Sequence, residues 1–182
     1  TTENYVFKDA AELEQKYPKT LGPSIYGRYI AKKELQVQLA AAEDNVANGL
    51  PRGVEFFRLA LSFVEDETPV GDIQTVYYYM AFCNYQQKEF YDAAMLGEFL
   101  ARRYPESTGA KQGAKIALSA YHNLLLLKGP ADRDFENSRL VSVAQYMVDS
   151  WPESPETIDA RVKLIPELLK AGNVQQAIIY IK

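Results

Sequence analysis

Three times in this chain an aromatic residue is followed by proline, a charged residue and a hydroxyl residue: Tyr17-Pro18-Lys19-Thr20, Tyr104-Pro105-Glu106-Ser107 and Trp151-Pro152-Glu153-Ser154. Each phrase closes a stretch of helical apolar spacing. Proline cannot continue the helix before it, and a Ser or Thr two residues on can cap the helix after it, so the phrase is punctuation between helices. Ser154-Pro155 puts a cap residue before a proline suited to the first helical turn, and predicts a new helix there. The prolines at 105 and 152 are 47 residues apart, while the 87 residues from 18 to 105 have room for two units. Pro69, behind Phe63 and Val64, supplies the intervening boundary. A chain divided this way is an array of helical units.

Between boundaries, apolar residues fall at steps of three and four, as in Tyr77, Met80, Ala81, Asn84 and Tyr85, then Phe90, Ala93, Ala94, Gly97, Leu100 and Tyr104. The polar Gln86-Gln87-Lys88-Glu89 separates the two runs, making a helix, a turn and a helix in about 34 residues. These residues resemble the tetratricopeptide family, whose repeat has a small residue midway in its first helix, an alanine early in its second and a proline near its end. Counted from Gln74, Ala81, Ala93 and Pro105 take those places. Tyr77 stands in place of the family's first-helix tryptophan, Lys88 in place of its turn glycine, and Gly97 where an aromatic is expected. The frame returns where Leu164-Ile165 and Leu168-Leu169 lead through Lys170-Ala171-Gly172-Asn173 into Val174, Ala177, Ile178 and Ile181. Gly172 falls on the turn glycine and Ala177 on the second-helix alanine. Because a terminal unit needs a polar cap, the bare apolar face here leads to the expectation that the array is cut at Lys182.

The other units are longer. Ala117 to Tyr121 repeats the spacing of Ala81 to Tyr85, and its partner helix, about Asn137 to Ser150, follows an extended connection from Lys128 to Asp134. Upstream, one helix is expected over about Ser24 to Val46, a turn over Ala47-Asn48-Gly49-Leu50-Pro51, and a second helix over about Arg52 to Glu65. Phe7 to Tyr17 reads as an orphan second helix. Val76-Tyr77-Tyr78-Tyr79 lies inside a helical run and is not a strand. The expected fold is all-α, a right-handed solenoid of antiparallel helix hairpins with about nine helices. It forms one array with units at 1–22, 23–71, 72–107, 108–154 and 155–182. The resemblance extends to irregular arrays in bacterial outer-membrane assembly and cell-envelope proteins, which implies an envelope or periplasmic setting.

Twenty-four acidic against 20 basic residues give a formal charge of −4, and the only adjacent basic pairs are Lys32-Lys33 and Arg102-Arg103. That leaves nucleic acid without an electrostatic footprint. The leucine run from Leu124 to Leu127 is far too short to span a bilayer. Cys83 is the single cysteine and His122 the single histidine, which removes internal disulfides, multi-cysteine metal sites and two-histidine zinc motifs. Cys83 and His122 could act as thiol and base only if the fold joined them, and nothing in the spacing does. Gly109 to Gly113 lacks the Gly-Lys-Ser or Gly-Lys-Thr ending of a phosphate loop and reads as a helix start whose small residues allow close helix approach. Asp132, Asp134 and Glu136 alternate as in a calcium loop, but Asn137 and Val143 occupy the glycine and glutamate positions. Glu65-Asp66-Glu67 reads as a solvated turn. No catalytic grouping and no cofactor emerge.

An array of hairpins does offer a surface, since its first helices line an extended groove that accepts peptides or helices. The family's groove positions carry over to Thr75, Tyr78, Phe82, Tyr85 and Gln86, and in the next unit to Lys111, Ala114, Leu118, Tyr121 and His122. The chain has thirteen tyrosines, and each groove aromatic has two uses open to it, packing and binding. Gln86, Lys111 and His122 are the sharper test residues, because core packing has little use for them. The expected function is a non-catalytic scaffold that binds a protein or peptide partner. The alternatives are a structural, self-associating segment of a larger protein and a helical domain of an enzyme.

Overall fold

The computed structural model describes residues 50–62, 64, 66, 68–129, 133–170 and 172–181. The chain divides into two compact units, 1–76 and 77–182. The described residues form seven helices and no strand: α1 (Leu50–Ser62), α2 (Val70–Gln86), α3 (Phe90–Arg103), α4 (Ala110–Leu127), α5 (Asp134–Ser150), α6 (Thr157–Lys170) and α7 (Val174–Ile181). The expected helices at Phe7 to Tyr17 and Ser24 to Val46, and the Pro18 boundary, lie outside the described residues.

In the first unit, α1 buries Val54, Phe57 and Ala60, a three-residue period that puts one stripe of the helix inside. Its start moves from the expected Arg52 to Leu50, so Pro51 joins the first turn instead of ending the preceding one. The first turn has no internal partner for its N–H groups, so proline loses nothing there. Pro69 does mark a boundary, since its carbonyl accepts from Asp72 (2.9 Å) at the start of α2. The division between units falls within α2, at Val76.

In the second unit each helix from α3 onward packs on the next. The tightest approach is between α3 and α4, where a Cβ placed on Gly97 would lie 2.4 Å from the Gly113 carbonyl oxygen. Backbone meets backbone there, which explains why position 97 is a glycine. The reading of Gly109 to Gly113 as a helix start built for close approach holds at Gly113, whose own Cβ would lie 2.9 Å from the Gly97 carbonyl oxygen. Ala93, Ala94, Leu100, Ala114, Ala117 and Leu118 complete this seam, all fully buried.

The aromatic-proline phrase makes the same turn twice. Tyr104 (φ −133°, ψ 58°) and Trp151 (φ −138°, ψ 58°) end α3 and α5, donating N–H to the carbonyls of Leu100 and Met147. Ser107 then donates to Tyr104 O (2.9 Å) and Ala110 to Ser107 O (3.1 Å), while Ser154 donates to Trp151 O and Thr157 to Ser154 O (both 3.0 Å). The expected side-chain caps do not form. Two tight turns separate the phrase from the next helix, so each serine contributes its carbonyl instead, and the Ser107 hydroxyl is buried without a partner. The helix expected at Pro155 accordingly begins at Thr157.

The turns at Lys88 and Gly172 also match. Lys88 donates to Tyr85 O and Glu89 to Asn84 O, as Gly172 does to Leu169 O and Asn173 to Leu168 O. This paired pattern needs a left-handed residue after the helix, and Lys88 (φ 65°) adopts that conformation just as Gly172 (φ 77°) does. Ala93 and Ala177 follow at the same distance, each fully buried and each donating to the residue that opens its helix, Glu89 and Asn173.

Alternate helices are also bonded. Arg102 of α3 donates to Ser142 of α5 through both its carbonyl (3.3 Å) and its hydroxyl (3.0 Å), and Tyr146 of α5 donates to Ala101 O of α3 (2.8 Å). Gln145 of α5 donates to Tyr180 of α7. Pro166 sits inside α6 and removes the N–H that Val162 O would accept; both residues are exposed, so water can serve that carbonyl.

Candidate protein-binding site

On α2, Tyr78, Phe82, Tyr85 and Gln86 fall on one stripe, at steps of four, three and one. Tyr78, Phe82 and Tyr85 are half-buried and Gln86 is exposed. Tyr78 packs edge-on to Tyr79 (5.3 Å between centroids), and burial raises its hydroxyl above the ordinary tyrosine range. Tyr85 packs on Phe90 (5.6 Å) and accepts a hydrogen bond from Asn123 of α4 (3.1 Å). That bond sets the C-terminal end of α2 against the C-terminal half of α4. Half-buried His122 is the neighbour of Asn123.

The α4 positions part company. Leu118 and Ala114 are fully buried and Tyr121 is 3% exposed, because α4 packs on both α3 and α5 and has little open face left. Lys111 lies near the other end of α4 and, with Trp151 to Glu156, lines a cavity of about 450 Å3 beside the second aromatic-proline turn. Of the expected groove residues, Tyr85 is joined to Asn123, the neighbour of His122, and Gln86 follows Tyr85 on α2; Tyr78 and Phe82 continue that stripe, Leu118 and Tyr121 pack inside, and Lys111 belongs to a separate hollow.

Tyr121 has a polar task of its own. Its hydroxyl, raised in pKa by burial, stays a neutral donor to Glu98 Oε2 (3.3 Å). Glu98, 6% exposed, also binds Arg102 of α3 (2.7 Å) and Arg139 of α5 (2.6 Å) through Oε1. A second buried carboxylate, Glu136, accepts from Tyr91 and pairs with Lys128 (2.7 Å). Those two partners, Lys128 first, hold its pKa down at about 2, while Glu136 first and then Tyr91 raise that of Lys128. A buried carboxylate is stable only when its charge is met this way.

Sequence reading did not find this cluster. Its local traces were the Glu98 and Arg102 spacing of one helical turn and the Arg102-Arg103 pair, neither of which reveals that Arg139 arrives from another helix.

For nucleophilic chemistry the only thiol is poorly placed. Cys83 is fully buried and burial pushes its pKa up to about 11, so it stays protonated near neutrality. Among the described residues no group of three or more His, Cys, Asp or Glu side chains could hold a metal ion, and no helix is long and apolar enough to cross a membrane. No protein-family model matches this chain, and no curated protein matches it either.

Proposed function

We propose that this chain is a non-catalytic interaction scaffold, a right-handed solenoid of tetratricopeptide-type hairpins that holds a peptide or partner protein along its first helices. The observation that carries the reading is the Asn123 to Tyr85 hydrogen bond. It joins α2 to α4, the first helices of successive hairpins, and leaves Gln86 and His122 beside the joint with surface to offer. The repeated turns after Tyr104 and Trp151, and the bonds between alternate helices, are what stacked hairpins require. A bacterial envelope setting belongs to the same proposal. A photo-crosslinking residue at Gln86 or His122 should capture one partner from the source cells, whereas the same residue at exposed Lys115 on α4 should not. Equal capture from all three positions would overturn the reading.

Self-association is a second reading, favoured by one observation. Ile158, Val162 and Leu169 on α6 are 63%, 63% and 50% exposed and, with half-buried Ile165, line one face of the helix. An apolar stripe of that length is an uncommon thing to leave in water. Light scattering that rises in mass with concentration, and stops doing so in Val162→Glu, would select this reading.

A further inference from the structure

A different face of the second unit carries its own recognition chemistry. Met95, Phe99, Arg102 and Arg103 on α3, with Glu98 and Tyr121 beneath and Arg139 of α5 opposite, line an open cleft of about 530 Å3. Met95 is 64% exposed and Phe99 43%. They lie one helical turn apart, and the arginines occupy the following turn. The cleft thus runs from an apolar end to a cationic end along a single helix.

The cationic end is assembled in advance. Arg102 is held by Glu98 through Nε, by Ser142 through its terminal nitrogen, and over the Tyr146 ring at 4.5 Å. Arg139 is held by Glu98, and Arg103 lies over the Tyr104 ring at 5.6 Å. The apolar end is also fixed, because Phe99 packs between Tyr77 (4.8 Å) and Tyr104 (6.3 Å). Side chains already ordered lose little entropy when a partner binds.

The charge count decides what fits. Three guanidinium groups face one carboxylate, leaving two positive charges unmatched in a chain whose formal charge is −4. Glu98 is 6% exposed and already shared by two arginines and a tyrosine, so it offers nothing outward. A simple polyanion would use the arginines and leave Met95 in water. A purely apolar helix would cover Met95 and Phe99 and strand the arginines.

The geometry points to this cleft as a docking site for an acidic amphipathic segment of another protein, two apolar side chains on Met95 and Phe99 followed by aspartate or glutamate side chains on Arg103 and Arg139. The site lies on the second helices, apart from the stripe of Tyr85, Gln86 and His122, and neither depends on the other.

The chain's three methionines supply the test, since Met80 is 4% exposed and Met147 fully buried while Met95 faces the cleft. In the full chain with 13C-labelled methionine methyls, the probe is a short acetylated and amidated peptide with leucine and phenylalanine one turn apart and two glutamates on the next turn. The Met95 methyl should shift on titration while Met80 and Met147 stay in place. Arg103→Glu, at an exposed position that leaves the helical circular dichroism unchanged, should weaken this peptide about tenfold and transfer preference to the same peptide with lysines for glutamates. Met95→Gln should weaken it several-fold, and Gln86→Ala should leave it unaltered. Equal binding of the lysine peptide to the unaltered chain, an equal shift with sodium phosphate at matched ionic strength, or no Met95 shift at millimolar peptide would each overturn the proposal. So would a Met95 shift on raising protein concentration alone, which would make a second copy of the chain the occupant.

Discussion

The helix pairs α3–α4 and α5–α6 are two versions of one arrangement, set 47 residues apart like the prolines that punctuate them. The edge-on contact of Phe99 with Tyr104 returns as Tyr146 with Trp151. Ala110, Gly113, Ala117 and Tyr121 on α4 correspond to Thr157, Ala160, Leu164 and Leu168 on α6, and all eight are buried. Gly97 on α3 corresponds to Ala144 on α5. The difference lies in volume. Where glycine faces glycine the backbones touch and little side chain is needed; where alanine replaces glycine, Leu164 replaces Ala117 to fill the wider seam. The same turn therefore serves two helix separations, with side-chain size making up the difference.

The joints between alternate helices differ as well. From α3 to α5 the polar links run through Glu98, Arg139, Tyr91 and Glu136, with full charges at their centre. From α5 to α7 the corresponding position is Gln145, bonded to Asp149 and Tyr180 and receiving Gln176 (3.3 Å). The first joint carries the arginine cleft because its extra cations have one carboxylate to share.

The largest effect that tests this comparison is Leu164→Ala. It gives α6 the small side chain of Ala117 without the glycine crossing, so a cavity should remain and urea unfolding should show a loss of about 3 kcal/mol. A loss near zero would mean that α6 closes onto α5 as freely as α4 does onto α3.

Gly97→Ala comes next. The added Cβ meets a backbone oxygen at 2.4 Å, which no side-chain rotation relieves. Overpacking of about 2–3 kcal/mol should outweigh the roughly 1 kcal/mol that alanine gains in helix propensity. Ala144→Gly should cost about 1 kcal/mol from propensity, plus whatever small void its methyl leaves. Stabilisation by Gly97→Ala in the same assay would contradict backbone contact.

The two hairpin turns offer a smaller test. Lys88 holds a left-handed conformation at a cost of about 1–2 kcal/mol that Gly172 avoids, partly offset by the lower entropy of an unfolded lysine. Lys88→Gly should raise thermal stability by about 0.5 kcal/mol and Gly172→Lys lower it by a similar amount. No gain, or a loss, in Lys88→Gly would mean that the lysine chain makes a compensating contact.

The last effect is confined to acid. The folded-state pKa of Glu136 is lowered from 4.5 to about 2, so its contribution is complete above pH 4.5 and disappears as pH falls through about 2. Unfolding free energies of the unaltered chain and Glu136→Gln should therefore converge over that window. A gap independent of pH would remove the ion pair as its source.

Much of the fold was legible locally. The expected boundaries at Pro69, Pro105 and Pro152 lie between helices, and Ala93 and Ala177 open theirs with the same bond, because helix ends are decided by residues within one or two turns. The caps at Ser107 and Ser154 were misread for a related reason. A hydroxyl residue after proline fits a cap and a tight turn equally well, and only the path to the next helix separates them. Less of the surface could be read. Leu118 and Tyr121 have groove spacing, yet both are buried, whereas Gln86 is exposed and His122 half-buried.

By itself the sequence determined the helices among the described residues, their punctuation and the small residues where two of them can cross, since each of these follows from backbone sterics and apolar period over a few residues. The tertiary structure alone decided which aromatics pack and which stay open, and that Glu98, Arg102 and Arg139 meet. Helical period tells which residues share a face but not what covers it, and bringing Arg139 to Glu98 depends on how α5 settles across α3, a separation no local rule spans.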